Sequence, residues 1–562
     1  MSAAVVRGVI AVLPAVTALA FWRGGYSVFM TPKATVVVVG AATVIAVALA
    51  RFALTGRAAL PAWEVAIPTV LYVVALVLAT AAAERPLLAV AGRADRHVGL
   101  AVALATLVLF VMTTLAFRYR SPASVIVATL AAAVPVTGYA LVQAGGGDPL
   151  AWNLVEGGPA VFSTLGNANF LSAWLGIVAP LAAWGALWSG WRPTWRLGCG
   201  ALAAAVLMTA AATGSVQGLV AAGGGLSLLA AGWVSVRAHR LRTGAVAVLG
   251  LGGALLLAGT AAPAGVLTRA GDSLATRAAH WETAWAMASD HPMRGVGLSG
   301  FQGWFRTYES PELAATRGLE RSLDSAHNVP LDLLASGGWP LLLTWLGLTL
   351  TIAVVLVRGW LRAARAHRLL LSALGGAWVA YVLQGLVSVD VAPLSVLGWT
   401  LAGLVVASAA ERDRTDVRLA TRGARPVAVG VLVAVSPLLI ATVDVVRADH
   451  LAAQAVAAAE ADELDVADRA FGRARALASW EPRYAVLHGA FLNRTGERAG
   501  ALEAYEEAHR RDPRAVVPLL NVARLALALG DRERADDAYR AALERAPHSP
   551  EVRDEAARFL EP

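Results

Sequence analysis

The chain contains one cysteine, Cys199, and one lysine, Lys33, among 562 residues. A single thiol inside an apolar run excludes an intrachain disulfide and any cysteine-built metal cluster. Arginine carries almost all of the basic charge, which reads as a GC-rich coding genome more than as a function. Charge itself is scarce: 15% of residues are Asp, Glu, Lys or Arg, against about 25% in an ordinary soluble protein. With 57% hydrophobic residues and a mean hydropathy of +0.60, the composition excludes a soluble domain and implies a polytopic membrane protein. The net charge of +8 forms no basic stripe and is dispersed among short loops, so no nucleic-acid partner is expected. The apolar run from Val9 to Trp22 lacks a small-residue cleavage site and reads as a first span, not a removed signal peptide. No HExxH motif or close His/Asp cluster appears, and although His97, His280 and His291 fall on one side of the expected membrane, no metal is expected.

What is present is a series of apolar runs. A helix needs roughly 20 apolar residues to cross about 30 Å of hydrocarbon, and thirteen candidates lie near 8–22, 34–50, 64–83, 98–117, 123–143, 169–189, 197–213, 216–236, 243–262, 339–357, 370–388, 393–409 and 425–443. Only Gly214 and Ser215 separate the seventh and eighth, but arginines precede the pair (Arg192, Arg196) and follow it (Arg237, Arg240, Arg242), as a two-span hairpin requires. Basic clusters recur in every second loop, beginning with Arg7, then Arg51 and Arg57, then Arg118 and Arg120. That alternation predicts a cytoplasmic N-terminus and an extracytoplasmic position for the loop 263–338 and for everything after the last span.

The expected fold class is all-α: a membrane helical bundle over 1–444 followed by a separate repeat domain over 445–562. After Val445 the composition turns to Ala, Glu, Asp and Arg, with a 34-residue recurrence linking Gly496 to Gly530, Ala501 to Ala535, Tyr505 to Tyr539 and Pro513 to Pro547. Ala467 and Phe471 extend it backwards by the same step. The period matches a tetratricopeptide-like α-solenoid of paired helices. Such repeats bind partners or stabilise an assembly.

Candidate chemistry concentrates in the loop 263–338. From an N-cap at Asp272 or Ser273 to Asp290 the spacing predicts an amphipathic helix with Trp281 and Trp285 on one stripe. Arg277 lies one turn before Trp281 and shares that face. Tryptophans at a membrane surface sit at headgroup depth, which would hold the Arg277 guanidinium where a phosphate could be gripped by paired, charge-assisted hydrogen bonds. A plain ion pair with Glu282 is the competing reading. Gly295-Val-Gly297-Leu-Ser-Gly300 follows no strand and opens no dinucleotide fold, so it is read as a tight return of the chain. His327, in Ser325-Ala326-His327-Asn328, precedes the tenth span closely and can take a proton at neutral pH; a structural histidine is the competing reading.

Five stretches in this order resemble one family. They are Gly92-Arg93-Ala94-Asp95-Arg96-His97-Val98-Gly99-Leu100; Tyr139 to Gln143 leading to Gly147-Asp148-Pro149; Ser163-Thr164-Leu165-Gly166-Asn167-Ala168-Asn169-Phe170-Leu171; Arg277 through Trp281 to Pro292 and Gly297; and Ser325 to Asn328. Together they span about 85–410 and resemble the O-antigen ligase and polymerase superfamily, in its subgroup with C-terminal tetratricopeptide repeats. The resemblance implies a membrane glycosyltransferase that moves a glycan from a polyprenyl (undecaprenyl) diphosphate carrier to a hydroxyl acceptor on a glycan, lipid or protein, at the outer side of the cytoplasmic membrane. Carried over, Arg277 looks like the arginine that grips the diphosphate and His327 like the histidine that activates the acceptor. The family's Ser-Arg-Gly at the start of the eighth span is replaced here, with Val216 in the arginine's place. Gln217, Arg93 or Arg96 is then expected to make that phosphate contact. Asn167, Asn169 and Asn328 are further candidates for binding sugar or phosphate, with helix capping as the alternative for the first two.

Such chemistry needs no cofactor, because a diphosphate is already a good leaving group and the protein has only to neutralise it, align the acceptor and remove one proton. The motifs do not separate a ligase from a polymerase of lipid-linked repeat units. A transporter or flippase for the same carrier would need ionisable or broken spans near the midplane, and Glu64, at a span edge, is the nearest candidate. A scaffold recruiting protein partners through the repeats is the remaining alternative.

Overall fold

The computed structural model describes residues 2–150, 152, 161–188, 190–237, 264–319, 323–409, 415–418 and 420–560. Ten described helices are long and apolar enough to cross a membrane, and Ala3–Leu19 and Leu100–Ala116 are shorter apolar helices. Twelve of the thirteen expected spans fall on these helices; the ninth, near 243–262, lies outside the described residues. The doubtful hairpin is two helices, Pro193–Ala212 and Val216–Arg237, turned at Gly214 with φ 73°.

At the centre stand Ala168–Leu187 and Ala392–Ala409, whose apolar windows are 83% and 89% buried, whereas the window of Thr421–Glu460 is 0% buried. The central helices are less hydrophobic than the rim helix, with mean hydropathy 1.7 and 1.6 against 2.3, so what selects the centre is close approach through small residues. A Cβ on Gly376 would lie 2.4 Å from the Gly225 carbonyl oxygen, and one on Gly176 would lie 2.4 Å from that of Gly218. Backbone contact at those crossings draws the helices Val216–Arg237, Arg365–Gly385 and Ala168–Leu187 together.

The described chain is helical as expected, apart from a short ribbon in which Arg57–Leu60 pairs antiparallel with Thr415–Arg418. The repeat domain is not set off by a linker: one helix, Thr421–Glu460, runs through position 445 and becomes the first helix of the array. Further helices begin at Leu464, Pro482, Arg498, Val516, Arg532 and Pro550, so that helix starts recur at 34-residue steps (464, 498, 532 and 482, 516, 550). Ala467, Ala501 and Ala535 are fully buried, and Phe471, Tyr505 and Tyr539 fill the same recurring position at 2%, 4% and 0% exposure.

Contacts sort the loops onto two faces. The ribbon and the pair of Arg358 with Glu64 mark one. On the other, the array meets three loops: Asp449 accepts from the Ser27 N–H, Arg93 pairs with Asp512, and Thr307 donates to the Arg545 carbonyl. The loop expected over 263–338 therefore lies on the same face as the repeats.

Candidate active site

The loop has a small core of its own, built from Ala284, Met287, Val296, Phe301, Phe305, Leu313, Leu323, Ala326 and Ala335. Its first element is the helix Ala264–Asp290. The helix begins eight residues before Asp272, so the expected N-cap at Asp272 or Ser273 is replaced by a continuous helix. The return Pro292–Gly297 is laced to the start of the tenth span: Val296 N–H donates to Ala335 O and Trp339 N–H to Pro292 O, each at 2.8 Å. This lacing needs a break in Val329–Arg362 at Gly338, with φ 65° and ψ −166°. A Cβ at Gly338 would lie 2.3 Å from the Pro292 oxygen and one at Gly295 2.4 Å from the Ala335 oxygen, so the glycines serve a backbone crossing. Trp285 packs edge-on to Trp339 with centroids 6.4 Å apart, where the span begins, while Trp281 is partly buried in the loop core.

His327 is held in the left-handed region, φ 53°, a conformation that costs a non-glycine residue about 1–2 kcal/mol. Its neighbours fix it there. The Ser325 hydroxyl accepts from the His327 N–H at 3.3 Å, Asp332 accepts from the Ala326 N–H at 2.6 Å, and Asn328 caps the next helix through Leu331 N–H at 3.0 Å. The imidazole Nδ1 lies 3.3 Å from the Ser325 carbonyl oxygen. A tautomer protonated at Nδ1 donates there and leaves the Nε2 lone pair for another proton.

Arg277 comes to this site from the helix, half-buried, and its charge acts on both His327 and His280. The His280 and His327 rings are 5.3 Å apart, and Arg317 reaches His280 Nε2 at 2.6 Å. Burial, then Arg317, His327 and Arg277, push His280 down to about 3. Burial and then Arg96 likewise lower the pKa of His327, opposed by Asp324. Both imidazoles are therefore neutral at pH 7. Burial also lowers the pKa of Arg277, although an arginine keeps its charge in a protein.

The two arginines of the loop before Leu100 diverge. Arg96 lies 2.5 Å from Asp324 and 3.4 Å from the Ser325 hydroxyl, beside His327. Arg93 turns away into the buried pair with Asp512 at 2.5 Å. Asn328 spends its amide on the cap and on the Leu386 carbonyl, 2.8 Å away. Asn167 caps the helix Ala168–Leu187 through the Asn169 N–H at 2.8 Å. Gln217 donates to the Asn169 carbonyl at 2.7 Å and toward the Ser388 hydroxyl at 3.3 Å, while its buried Oε1 has no partner. These three residues reach His327 only indirectly, through the turn 386–391 that also holds Asn328. Beneath Ser325 opens a cavity of about 170 Å³, with Arg96, Asp324 and Asp332 at its upper wall and Tyr72, Trp345 and Trp399 deeper between the spans.

Sequence reasoning missed His280 and Arg317 as members of this cluster. His280 was legible, three residues after Arg277 on one helical face; Arg317 gave no signal. Among the described residues no group of three His, Cys, Asp or Glu side chains is arranged to hold a metal. The chain matches no curated protein. Residues 160–346, which include Arg277 and His327, match the family model described as O-antigen ligase, and that match supports the O-antigen ligase superfamily and a multi-pass membrane function of ligase or polymerase type.

Proposed function

We propose that the protein transfers a glycan from a polyprenyl diphosphate carrier to a hydroxyl acceptor at the outer face of the cytoplasmic membrane, acting as a ligase. The observation that supports this most directly is that Arg277 lies near enough to the buried His327 for its charge to act on the ring, on the face opposite the ribbon. The acceptor oxygen attacks the anomeric carbon, the bond from that carbon to the phosphate oxygen breaks, and the carrier diphosphate leaves. His327 Nε2 takes the acceptor proton. Arg277, with Arg96 nearby, stabilises the negative charge that grows on the departing diphosphate, the kind of term that dominates such reactions. The paired helices after residue 445 are read as tetratricopeptide-like repeats on the same side.

The test is reconstitution of the purified full-length protein in nanodiscs with carrier-linked oligosaccharide and a panel of glycan, lipid and protein acceptors, scoring release of polyprenyl diphosphate. A single discrete product supports the ligase, a ladder of lengths indicates a polymerase, and unchanged release by a folded His327→Ala variant rejects the assignment.

A further inference from the structure

Resting on the function proposed above, we infer that the repeat array frames the active site: through Asp512 it fixes the loop Arg93–His97, and that loop holds Arg96 against the segment carrying His327. Asp512 is thus a positioning residue about which the 34-residue repeat pattern says nothing.

The contacts divide along the loop. Arg93 pairs with Asp512, their side chains 16% and 7% exposed. The Ala94 N–H donates to the Glu481 carboxylate at 2.9 Å, and Asp95 pairs with Arg483. The next residue, Arg96, turns to Asp324 and Ser325, and Ser325 accepts from the backbone of His327. Three consecutive residues therefore bind the array and the fourth binds the catalytic segment.

A second set of contacts joins the array to the catalytic loop and to the turn at Glu84 beside it. Arg514 pairs with Glu84 at 2.7 Å and lies 3.5 Å over the Trp304 ring, and the Leu319 N–H donates to Glu551 at 3.0 Å. A tethered recruiting arm would need none of these. Without Asp512, the Arg93 guanidinium stays in a largely dry site with Glu481 as the next anion, and Glu481 is already engaged by the loop's own backbone. Losing one partner of such a pair is far more disruptive than losing both.

The consequence at the site is electrostatic as well as geometric. The charged groups facing His327 are Arg96 from the loop, Asp324 from its own segment and Arg277 from the helix Ala264–Asp290, with the neutral His280 ring beside it. If Arg96 withdraws, the stronger of the two cations that oppose protonation of His327 leaves and Asp324 is freed to favour it.

The experiment compares full-length wild type, Asp512→Asn and the charge swap Arg93→Asp/Asp512→Arg in nanodiscs, with carrier-linked oligosaccharide as donor. The Asp512→Asn variant should lose on the order of 10- to 100-fold in kcat, and the acid limb of its kcat/KM profile should move to higher pH. The swap should restore both, and it decides the matter where the single variant is poorly recovered. A folded Asp512→Asn with wild-type kcat and an unmoved acid limb, or a folded swap that restores neither, overturns the inference. His327→Ala serves as the control: if it remains active the proposed function fails, whereas if it is dead while Asp512→Asn behaves as wild type only this positioning role fails.

Discussion

Two histidines, His488 in the repeat array and His327 in the loop 263–338, are both desolvated, and burial is the first cause lowering the pKa of each. Their wiring differs. His488 spends both nitrogens, Nε2 on Asp468 at 2.7 Å and Nδ1 on Arg475 at 2.8 Å, with its ring stacked on Phe471. His327 engages Nδ1 with Ser325 alone, lies in a strained backbone conformation and faces a second imidazole and two arginines. Burial alone does not single out a candidate base; a desolvated ring with a lone pair left over fits the role proposed for His327.

The sharpest way to break the comparison is His327→Ala, for which transfer should fall on the order of 10²- to 10⁴-fold, the usual worth of a general base. Thermal unfolding should change little, since the ring is not part of the loop core. A folded variant retaining a tenth of wild-type turnover would put His327 in the same class as His488. Next is Arg277→Lys, which keeps a charge but not the planar fork. A loss on the order of 10²- to 10³-fold in kcat is expected, the cost of removing one preorganised donor to a developing oxyanion. Full activity of the lysine variant would show that charge alone suffices.

The pH profile comes third. A lowered pKa keeps His327 neutral through pH 7, so kcat/KM should be flat from pH 7 to 8 and its acid limb should lie below the ordinary histidine value of about 6.5. An acid limb above that value in the wild type would mean that Asp324, not burial and Arg96, governs the ring.

What was legible beforehand follows from how each signal is encoded. Spans and the 34-residue period are local in the chain, so hydropathy and recurrence found them, and the short separation of Arg277 from Trp281 placed the arginine on the loop's helix. The division of labour between Arg93 and Arg96 was not legible, because three residues apart in one motif they answer to partners more than 200 positions away. Nor did the sequence announce a place for Lys33, which is fully buried and whose side-chain nitrogen donates to the Ala20 and Thr164 carbonyls, tying the turn after the first helix to the segment before Asn167. The break at Gly338 was hidden for a related reason, since nothing in Gly337-Gly338 announces that Pro292 will pass within hydrogen-bonding distance.

The smallest effect expected is that of His488→Phe, which sharpens the comparison from the side of the repeats. Phenylalanine can keep the stacking on Phe471 but leaves Asp468 and Arg475 without the ring nitrogens between them. One lost buried hydrogen-bond pair is worth about 1–2 kcal/mol, so the unfolding temperature of the full-length protein should drop by a few degrees while kcat stays within about twofold, because the Arg93–Asp512 pair is untouched. The sign of the pH dependence adds a second readout. A histidine whose folded pKa is lowered is neutral in the fold, so its share of stability is present above the unfolded value of about 6.5 and is lost as pH falls below it. The wild-type repeats should therefore soften between pH 6.5 and 5.5 and the phenylalanine variant should lose that component, as thermal unfolding in nanodiscs at the two pH values would record. If kcat instead fell along with stability, the two histidines would not be separable into a structural and a catalytic one, and the array would act on the site through more than Asp512.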